Sequence, residues 1–279
     1  MQEFNYLGLD DFLLAALRED IGTGDITTGS CVAKDAISEG AFIAKEPGIV
    51  CGLGVMARVF ALLDEGILVT FNTNDGDKTD AGLVIADIAG PSRSILTGER
   101  TAMNLLQHMS GVATRTAEAV LAVSGTKAKI VDTRKTTPGL RVLDKYAVRC
   151  GGGSNHRFNL SDGILIKDNH IVAAGGIANA VALTRQNCPF TLKIEVETES
   201  FAQIEEALAA GADIIMLDNM TVEDMAEAVK LIGGRALAEA SGNMGTRDLR
   251  AVAETGVDFI SIGALTHSVK AMDISLKLR

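Results

Sequence analysis

The residues best suited to chemistry lie in a positively charged window, residues 127–170, of an acidic chain. The chain of 279 residues carries a formal net charge of −10. Within the window, nine Lys and Arg residues stand against four Asp residues, which gives +5 and leaves −15 for the rest of the chain. A basic pocket in an acidic protein suits a small anion that carries several charges. Nucleic acid is an unsuitable partner, because the acidic surroundings would repel it.

The cations of this window that are candidates to bind the anion come in three groups. Arg134 and Lys135 follow a short apolar run, and so does Lys167, whereas His156 and Arg157 follow a run of three glycines. Arginine side chains and backbone N–H groups bind phosphate or carboxylate through charge-assisted hydrogen bonds. Three glycines alone are equally typical of a flexible helix exit, but beside these cations they favour anion binding.

Polar groups also follow the later strands predicted in the chain. Glu197 and Asp218 are either two solvated strand ends or a pair that holds Mg²⁺ bridged to a phosphate, because hard cations prefer oxygen ligands. Turns at residues 241–243 and 263–264 end the last two predicted strands. In α/β barrels this corner commonly binds phosphate through backbone N–H groups.

Six short apolar runs predict the strands that position these residues. The runs occupy residues 129–135, 163–168, 192–197, 214–218, 236–241 and 259–263. The last four recur about every 22 residues, with a helical stretch between them. This alternation predicts a parallel sheet, most economically closed into an α/β barrel whose strand C-termini carry the chemistry. An open doubly wound sheet fits the same periodicity.

The region before residue 104 has a different pattern and predicts a separate domain. A short helix is expected at residues 10–19, and strand-like pieces follow at residues 41–45, 68–71 and 83–88, separated by Pro-Gly and Asp-Gly turns. The pattern is typical of an antiparallel α+β or sandwich domain. An amphipathic helix at residues 97–123 is expected to bridge the two domains.

Arg100 stands out because its charge conflicts with its expected position. The residue falls in the first turn predicted for the bridging helix, where the positive end of the helix dipole disfavours a cation. It also lies outside the predicted barrel. A local rule that is broken without local compensation is a weak indication of function.

Composition predicts a cytoplasmic protein. Its four cysteines are scattered without a CxxC pair, so a zinc site and a disulfide framework are both poorly supported. The N-terminus lacks a basic and apolar signal sequence. No apolar run approaches the ~18 residues that a membrane span requires.

The motifs of this chain resemble those of quinolinate phosphoribosyltransferases. The resemblance is carried by DTRKTTPGLR, CGGGSNHR and LIKDNH between residues 132 and 170, and by REDIGTGDITT, GERTAMNLLQHMSG, IEVE, IIMLDN and SIGALTHS elsewhere. It implies an N-terminal α/β sandwich domain at residues 1–103 and an open α/β barrel of the type II phosphoribosyltransferase kind at residues 104–265. The tail at residues 266–279 is expected to return to the first domain.

The resemblance also implies a reaction and the residues that perform it. Quinolinate and phosphoribosyl pyrophosphate would give nicotinate mononucleotide, pyrophosphate and CO₂ in de novo NAD biosynthesis, with Mg²⁺ required. The matched substrate-binding residues are Thr133, Arg134, Lys135, His156, Arg157 and Lys167, and the matched phosphate turns are Ser241, Gly242, Asn243, Gly263 and Ala264. Glu197 and Asp218 match the family's acidic, metal-binding pair and, with Lys135 and Lys167, are expected to act in catalysis. Arg100 matches an arginine donated to the partner's site across a homodimer interface.

Other functions fit parts of this pattern. A paralogue associated with molybdate-transport operons shares the fold and has a different substrate, but the intact TRKTTPG, SNHR and IKDNH runs favour quinolinate. A barrel aldolase would use Lys167 or Lys193 as a Schiff base. A non-catalytic binding protein would leave the acidic pair and the basic residues without a purpose. Asn243 stands where many relatives have a second glycine, which bears on the geometry of the phosphate turn.

Overall fold

The computed structural model describes residues 8–279, and these form two compact units. The first unit contains the described residues up to Ala117, together with Pro138–Gly152 and Val269–Arg279. The second unit contains Glu118–Thr137 and Gly153–Ser268. The segment 138–152, which the sequence analysis assigned to the barrel domain, thus groups with the first unit. The predicted boundaries at residues 103 and 265 stay predictions, and residues 1–7 of the predicted first domain lie outside the described residues.

Helices and strands alternate along most of the chain. In chain order the described elements are α1 (Leu9–Ile21), α2 (Ile26–Cys31), β1 (Ile37–Ala44), β2 (Gly48–Ile49), α3 (Leu53–Leu63), β3 (Leu68–Phe71), β4 (Lys78–Thr79), β5 (Val84–Pro91), α4 (Ser92–Ala122), β6 (Lys129–Val131), α5 (Arg141–Cys150), β7 (Ile164–Ile166), α6 (Asp168–Ala174), α7 (Ile177–Asn187), β8 (Ile194–Thr198), α8 (Phe201–Ala209), β9 (Ile214–Asp218), α9 (Val222–Ile232), β10 (Leu237–Ser241), α10 (Leu249–Glu254), β11 (Phe259–Ser261), α11 (Ala264–His267) and β12 (Ile274–Leu278). Among the described residues, no helix is both long and apolar enough to cross a membrane.

The first unit is built on a four-stranded antiparallel sheet in the order β12-β1-β5-β3. Phe42 on β1 and Phe60 on α3 are fully buried, and their ring centroids lie 6.1 Å apart. The side chain of Asp75 accepts hydrogen bonds from the backbone N–H groups of Gly52 and Leu53 at 3.0 Å each. These bonds satisfy two of the donors that a helix N-terminus leaves without intrahelical partners. The antiparallel sheet expected from the sequence is therefore present.

The long helix α4 begins earlier than the sequence analysis predicted. It starts at Ser92 and not at residue 97, because Ile95 is already fully buried and the chain enters the helix directly from β5. Gly98, which looks like a helix boundary, lies inside the helix where it packs closely on α3. A Cβ at this position would lie 2.6 Å from Cδ1 of Leu63. Arg100 consequently lies beyond the first turn, and the argument from the helix dipole was wrong.

The second unit contains a six-stranded parallel sheet in the order β6-β11-β10-β9-β8-β7. All six predicted strands are present. The end strands β6 and β7 are not paired with each other, so the α/β barrel of this unit is open, as the resemblance implied. Ser200 and Thr221 cap α8 and α9 as N-terminal residues, each accepting a hydrogen bond from a backbone N–H three residues on.

Strand register gives the two faces of this sheet different chemistry. Side chains alternate between faces along a strand, and paired residues of neighbouring strands face the same side. Glu197 pairs with Met216 and then Glu239, and Asp218 pairs with Ser241. The alternate residues Val196, Ile215, Leu217, Ala238, Ala240 and Ile260 are almost completely buried on the other face. One face is therefore an apolar core face, whereas the other carries carboxylates and hydroxyls.

Replacing Gly111 in α4 with alanine should destabilise the first unit. A Cβ at Gly111 would overlap the carbonyl oxygen of Lys270 and lie 3.1 Å from its carbonyl carbon. Because backbone cannot move aside like a side-chain end, we expect a loss of about 1–3 kcal/mol in the free energy of unfolding. The matched control is Gly54→Ala in α3, where nothing lies within 4 Å; it should be neutral or stabilise by up to about 1 kcal/mol. Urea unfolding measures both, and equal stability of the two variants would contradict the close packing at Gly111.

Candidate active site

A cavity of about 450 Å³ opens at the C-terminal ends of the parallel strands in the second unit. Its lining includes eleven residues predicted from the sequence, namely Thr133, Arg134, Lys135, His156, Arg157, Lys167, Glu197, Asp218, Ser241, Gly242 and Asn243. Residues 134 and 135 follow β6, and residue 167 follows β7. Residue 197 is the last but one of β8, and residue 218 is the last of β9. Short strands that end at the same edge thus bring together groups that are more than 100 residues apart in the chain.

The loop that carries His156 and Arg157 is held by a buried carboxylate. Asp132, which is 0% exposed, accepts a hydrogen bond from the backbone N–H of His156 at 2.8 Å and another from Nδ2 of Asn155 at 2.6 Å. The guanidinium of Arg157 donates to the carbonyl of Gly163 at 2.9 Å. A glycine-rich segment is therefore converted into a fixed support for two polar side chains.

The cations of the cavity are close enough to disfavour one another. Burial, together with the positive charge of Arg134, lowers the pKa of Arg157 below its ordinary value. Desolvation disfavours a charged group, and a like charge nearby adds to the effect. An anionic ligand would relieve both, because it supplies the opposite charge. Lys167 differs in that its Nζ already lies 2.6 Å from Oε2 of Glu197.

The turns after β9 and β10 contain backbone conformations that explain their sequence. Asn219 and Asn243 have φ angles of 56° and 53°, in the left-handed region that Gly and Asn adopt most readily. Asparagine at position 243 is thus compatible with the conformation of this turn. Gly242 has a φ of 93°, and a Cβ there would lie 2.7 Å from the backbone nitrogen of Asn219. The close approach of these two turns requires glycine at position 242.

Two buried carboxylates at the floor of the site, of which Glu239 lines the cavity, were missed by the sequence analysis. Glu195 and Glu239 are each 3% exposed, and Nε2 of His156 lies 3.1 Å from Oε2 of Glu195 and 3.5 Å from Oε2 of Glu239. Burial, followed by the negative charge of Glu195, raises the pKa of Glu239 to about 8. A glutamate that alternates with small or β-branched apolar residues, as in Ile-Glu-Val and Ala-Glu-Ala, was the available signal. The sequence analysis placed both glutamates in predicted strands and assigned them no role in the site.

Comparison with known proteins agrees with this geometry along the whole chain. The model of the quinolinate phosphoribosyl transferase N-terminal domain matches residues 25–110, and that of the C-terminal domain matches residues 112–277. The chain belongs to the quinolinate phosphoribosyl transferase family. The two matched regions together cover most of the chain, so membership does not depend on the active-site motifs alone.

Individual relatives of this family member are similar over nearly their full length. A probable nicotinate-nucleotide pyrophosphorylase (carboxylating) from Bacillus subtilis is 47% identical over 272 residues, which cover 98% of this chain and 94% of the relative. Among solved structures, NadC from Streptococcus pyogenes is 46% identical with a TM-score of 0.92, over 99% of this chain and 98% of that one. The nicotinate-nucleotide pyrophosphorylase from Francisella tularensis is 42% identical with a TM-score of 0.94, over the whole of both chains.

Three residues predicted for the site of this family member do not line the described cavity. Gly263 is adjacent to it, since a Cβ there would lie 3.0 Å from Cδ of Lys135. Ala264 is the first residue of α11. Arg100 belongs to the first unit, where it is exposed on α4. The structure therefore brings together the basic and acidic groups of the second unit, whereas the part assigned to Arg100 stays a prediction.

Glu239→Gln should remove a pH dependence of stability. Glu239 has a pKa of about 8 in the folded protein and an ordinary value of 4.5. Between these values the folded state holds a proton that the unfolded state lacks. The contribution of Glu239 to the free energy of unfolding is thus greatest at low pH. It is lost as the pH rises towards 8, by up to about 1.4 kcal/mol per pH unit. Urea unfolding from pH 5 to 9 should show this slope in the wild type and in the exposed control Glu199→Gln, but not in Glu239→Gln. The same slope in all three proteins would contradict the raised pKa.

Proposed function

We propose that this family member is a quinolinate phosphoribosyltransferase of de novo NAD biosynthesis. It joins quinolinate to phosphoribosyl pyrophosphate and forms nicotinate mononucleotide, pyrophosphate and CO₂. The observation that carries the proposal is the cavity of the second unit, where Arg134, Lys135, Arg157 and Lys167 converge on Glu197 and Asp218. Relatives at 42–47% identity carry the names of carboxylating pyrophosphorylases or decarboxylating quinolinate phosphoribosyltransferases, which supports this function over the molybdate-operon alternative.

Charge complementarity explains why the reaction needs so many cations. Quinolinate carries two carboxylates and phosphoribosyl pyrophosphate carries several phosphate charges, so the two substrates repel each other. Arg134 and Arg157 would bind carboxylates through their planar, multidentate guanidinium groups. Lys135 and Lys167 would neutralise a carboxylate or the departing pyrophosphate. Fixed cations aimed at developing negative charge stabilise a transition state without having to reorganise.

We propose Mg²⁺ as the metal and Glu197 and Asp218 as the residues that hold it. Both side chains offer carboxylate oxygens to the same cavity from neighbouring strands. Such a donor set fits Mg²⁺, which proteins usually bind through one or two carboxylates and substrate phosphates. When bound, the ion would supply positive charge to the pyrophosphate group. Glu197 also pairs with Lys167, so its charge positions a cation of the chain in the same part of the cavity.

The loss of CO₂ follows from the first bond formed. Once the ring nitrogen of quinolinate is joined to the ribose it is cationic, and its charge stabilises the electron pair that stays on the neighbouring ring carbon when the adjacent carboxylate leaves as CO₂. A proton then takes the place of the carboxylate on that carbon, while residues of the chain keep the ring and its remaining carboxylate in place. Arg134 and Arg157, on the loops that follow β6 and the glycine run, are the groups proposed for that task.

The proposal includes two features of the protein in the cell. The first is a homodimer in which Arg100 of each subunit completes the site of the other, supported by its exposed position on α4 and by its match to the family's donated arginine. The second is a cytoplasmic location, supported by four cysteines that are all free thiols.

Quinolinate should be a substrate and nicotinate should not. A ligand that lacks one carboxylate would leave a desolvated cation without its partner, at a cost of several kcal/mol. The assay offers quinolinate, nicotinate and nicotinamide separately with phosphoribosyl pyrophosphate, with Mg²⁺ or with a chelator, and measures mononucleotide and CO₂. Comparable turnover of nicotinate would overturn the substrate assignment. Undiminished turnover in the chelator would overturn the metal.

Mixing two inactive variants should restore activity if Arg100 acts in the partner's site. Arg100→Ala and Lys167→Ala homodimers should each be nearly inactive, because both of their sites lack one cation. After subunit exchange, half of the dimers are heterodimers with one complete site, so activity should approach ~25% of the wild type under two-fold symmetry. Exchange is verified with differently tagged subunits. Activity that stays at the level of the separate variants after verified exchange would place Arg100 outside the partner's site.

A further inference from the structure

His156 is hydrogen-bonded through both nitrogens of its ring. Nδ1 accepts a hydrogen bond from the backbone N–H of Arg157 at 2.7 Å. Nε2 faces Oε2 of Glu195 at 3.1 Å and Oε2 of Glu239 at 3.5 Å. A ring nitrogen that accepts an N–H bond carries no proton, so the proton of the ring must be on Nε2, where it is donated to the carboxylates. The surroundings therefore select one neutral tautomer of His156.

This arrangement changes the part that His156 plays in the site. The sequence analysis grouped it with the cations that bind substrate. In this geometry both ring nitrogens contact the protein, so a direct contact of His156 with substrate stays a prediction. What His156 does hold is the backbone of the next residue, Arg157, whose guanidinium lines the cavity.

We propose that Glu195 and Glu239 are positioning residues for substrate binding, which act by fixing the tautomer of His156 and, through its Nδ1, the backbone of Arg157. The proposal rests on the proposed function, since Arg157 is assigned there to a carboxylate of quinolinate. It adds two residues and a chain of contacts that runs from the floor of the open barrel to the substrate. Neither glutamate is required to touch the substrate.

The loop has hydrogen bonds of its own, such as that from the backbone N–H of Phe158 to Asp162 at 2.6 Å, but the backbone N–H of Arg157 is held by His156. The loop enters from three glycines and has no helix or strand between residues 155 and 163. Asp132 holds the backbone of His156, and His156 in turn holds the backbone of Arg157. Without the second contact, the loop could still follow the same path while the Arg157 side chain turned away from the cavity.

The burial of two carboxylates is itself an argument for a role beyond stability. Each glutamate is 3% exposed, and the Oε1 atoms of both are buried without a hydrogen-bond partner in the described structure. Buried polar atoms destabilise a fold unless they are hydrogen-bonded, whether the carboxyl group is ionised or protonated, and apolar residues of the same size would usually stabilise the core more. Proteins tolerate this cost where a buried polar group fixes the orientation of a side chain that binds the ligand.

The first test is a double-mutant cycle on quinolinate binding, measured by calorimetry with quinolinate alone. Glu195→Met removes the nearer of the two acceptors for Nε2–H. It should weaken quinolinate binding by about tenfold or more, which is about 1.4 kcal/mol. Glu195→Gln keeps an acceptor oxygen and should weaken it by less than about threefold. In an Arg157→Ala background, Glu195→Met should change the dissociation constant for quinolinate by less than about twofold. Glu195 acts through Arg157 in the proposal, so the effects of the two substitutions should not add.

The matched control is Glu199→Met, an exposed residue just beyond β8. It should change no binding constant, and phosphoribosyl pyrophosphate should bind every Glu195 variant within about twofold of the wild type, which also verifies that the variants are folded. A full additional loss from Glu195→Met in the Arg157→Ala background would overturn the proposal. Equal losses from Glu195→Met and Glu195→Gln would do the same.

The second test reads the tautomer directly and does not depend on activity. Nitrogen-15 NMR of the histidine rings distinguishes a protonated from an unprotonated ring nitrogen, and the chain has only four histidines. The His156 signals are assigned by their loss in His156→Phe. We expect a proton on Nε2 and none on Nδ1 in the free enzyme, unchanged by saturating quinolinate and altered in Glu195→Met. A proton on Nδ1, or one that appears with quinolinate, would overturn the proposal.

If the wild type binds no quinolinate, the proposed function fails while the NMR result on the free enzyme still decides the role of the glutamates.

Discussion

Everything at the site depends on the alternation of side chains along six parallel strands in fixed register. Because neighbours in the register face the same side, a glutamate on β8, an aspartate on β9 and a glutamate on β10 must all point to one face of the sheet. The other face then consists of apolar residues that pack against the helices. A slip of one residue in any of these strands would bury charges in the core and expose the core to the cavity. The chemistry and the packing are therefore fixed by the same hydrogen bonds.

The charged and titratable groups of the site differ in how deeply they are buried. At the mouth, cations and carboxylates remain accessible, as for Lys167, whose side chain is 45% exposed. At the floor, Glu195 and Glu239 are removed from water, and the pKa of Glu239 is raised accordingly. His156 lies between these layers and contacts both. The site thus combines accessible charges at its mouth with buried carboxyl groups at its floor, of which Glu239 keeps its proton up to about pH 8.

Local features of the fold could be predicted from the sequence, and features that need long-range contacts could not. The six strands were predictable because each is an apolar run beside polar or glycine residues, and Ser200 and Thr221 were recognisable caps because capping is decided within three residues. Thr137 followed by Pro138 looks like a helix start, but Gly139, with a φ of 88°, keeps the chain in a turn, and α5 begins only at Arg141. The true start of α4 depended on packing against α3, which lies far away in sequence.

The site was predictable to a similar extent. Its cations and its outer carboxylates lie at strand ends, where a charged residue is easily noticed. Glu195 and Glu239 lie within strands, and only the tertiary structure reveals that they meet the same histidine. The hydrogen bond from Arg157 to His156 joins adjacent residues, yet no sequence rule predicts which ring nitrogen accepts it. Residue types indicated the chemistry, whereas the protonation state of the ring required the geometry.

The pairing of β12 with β1 has a consequence for how the chain folds as it is made. The first sheet takes three strands from the first 91 residues and its fourth from residues 274–278, so the whole second unit is synthesised between them. During synthesis, this edge of β1 lacks its neighbour until residues 274–278 emerge from the ribosome. An exposed strand edge is a template for pairing with other chains. Removal of residues 274–278 would therefore destabilise the first unit, and this edge of β1 stays open to pairing with other chains while the second unit is synthesised.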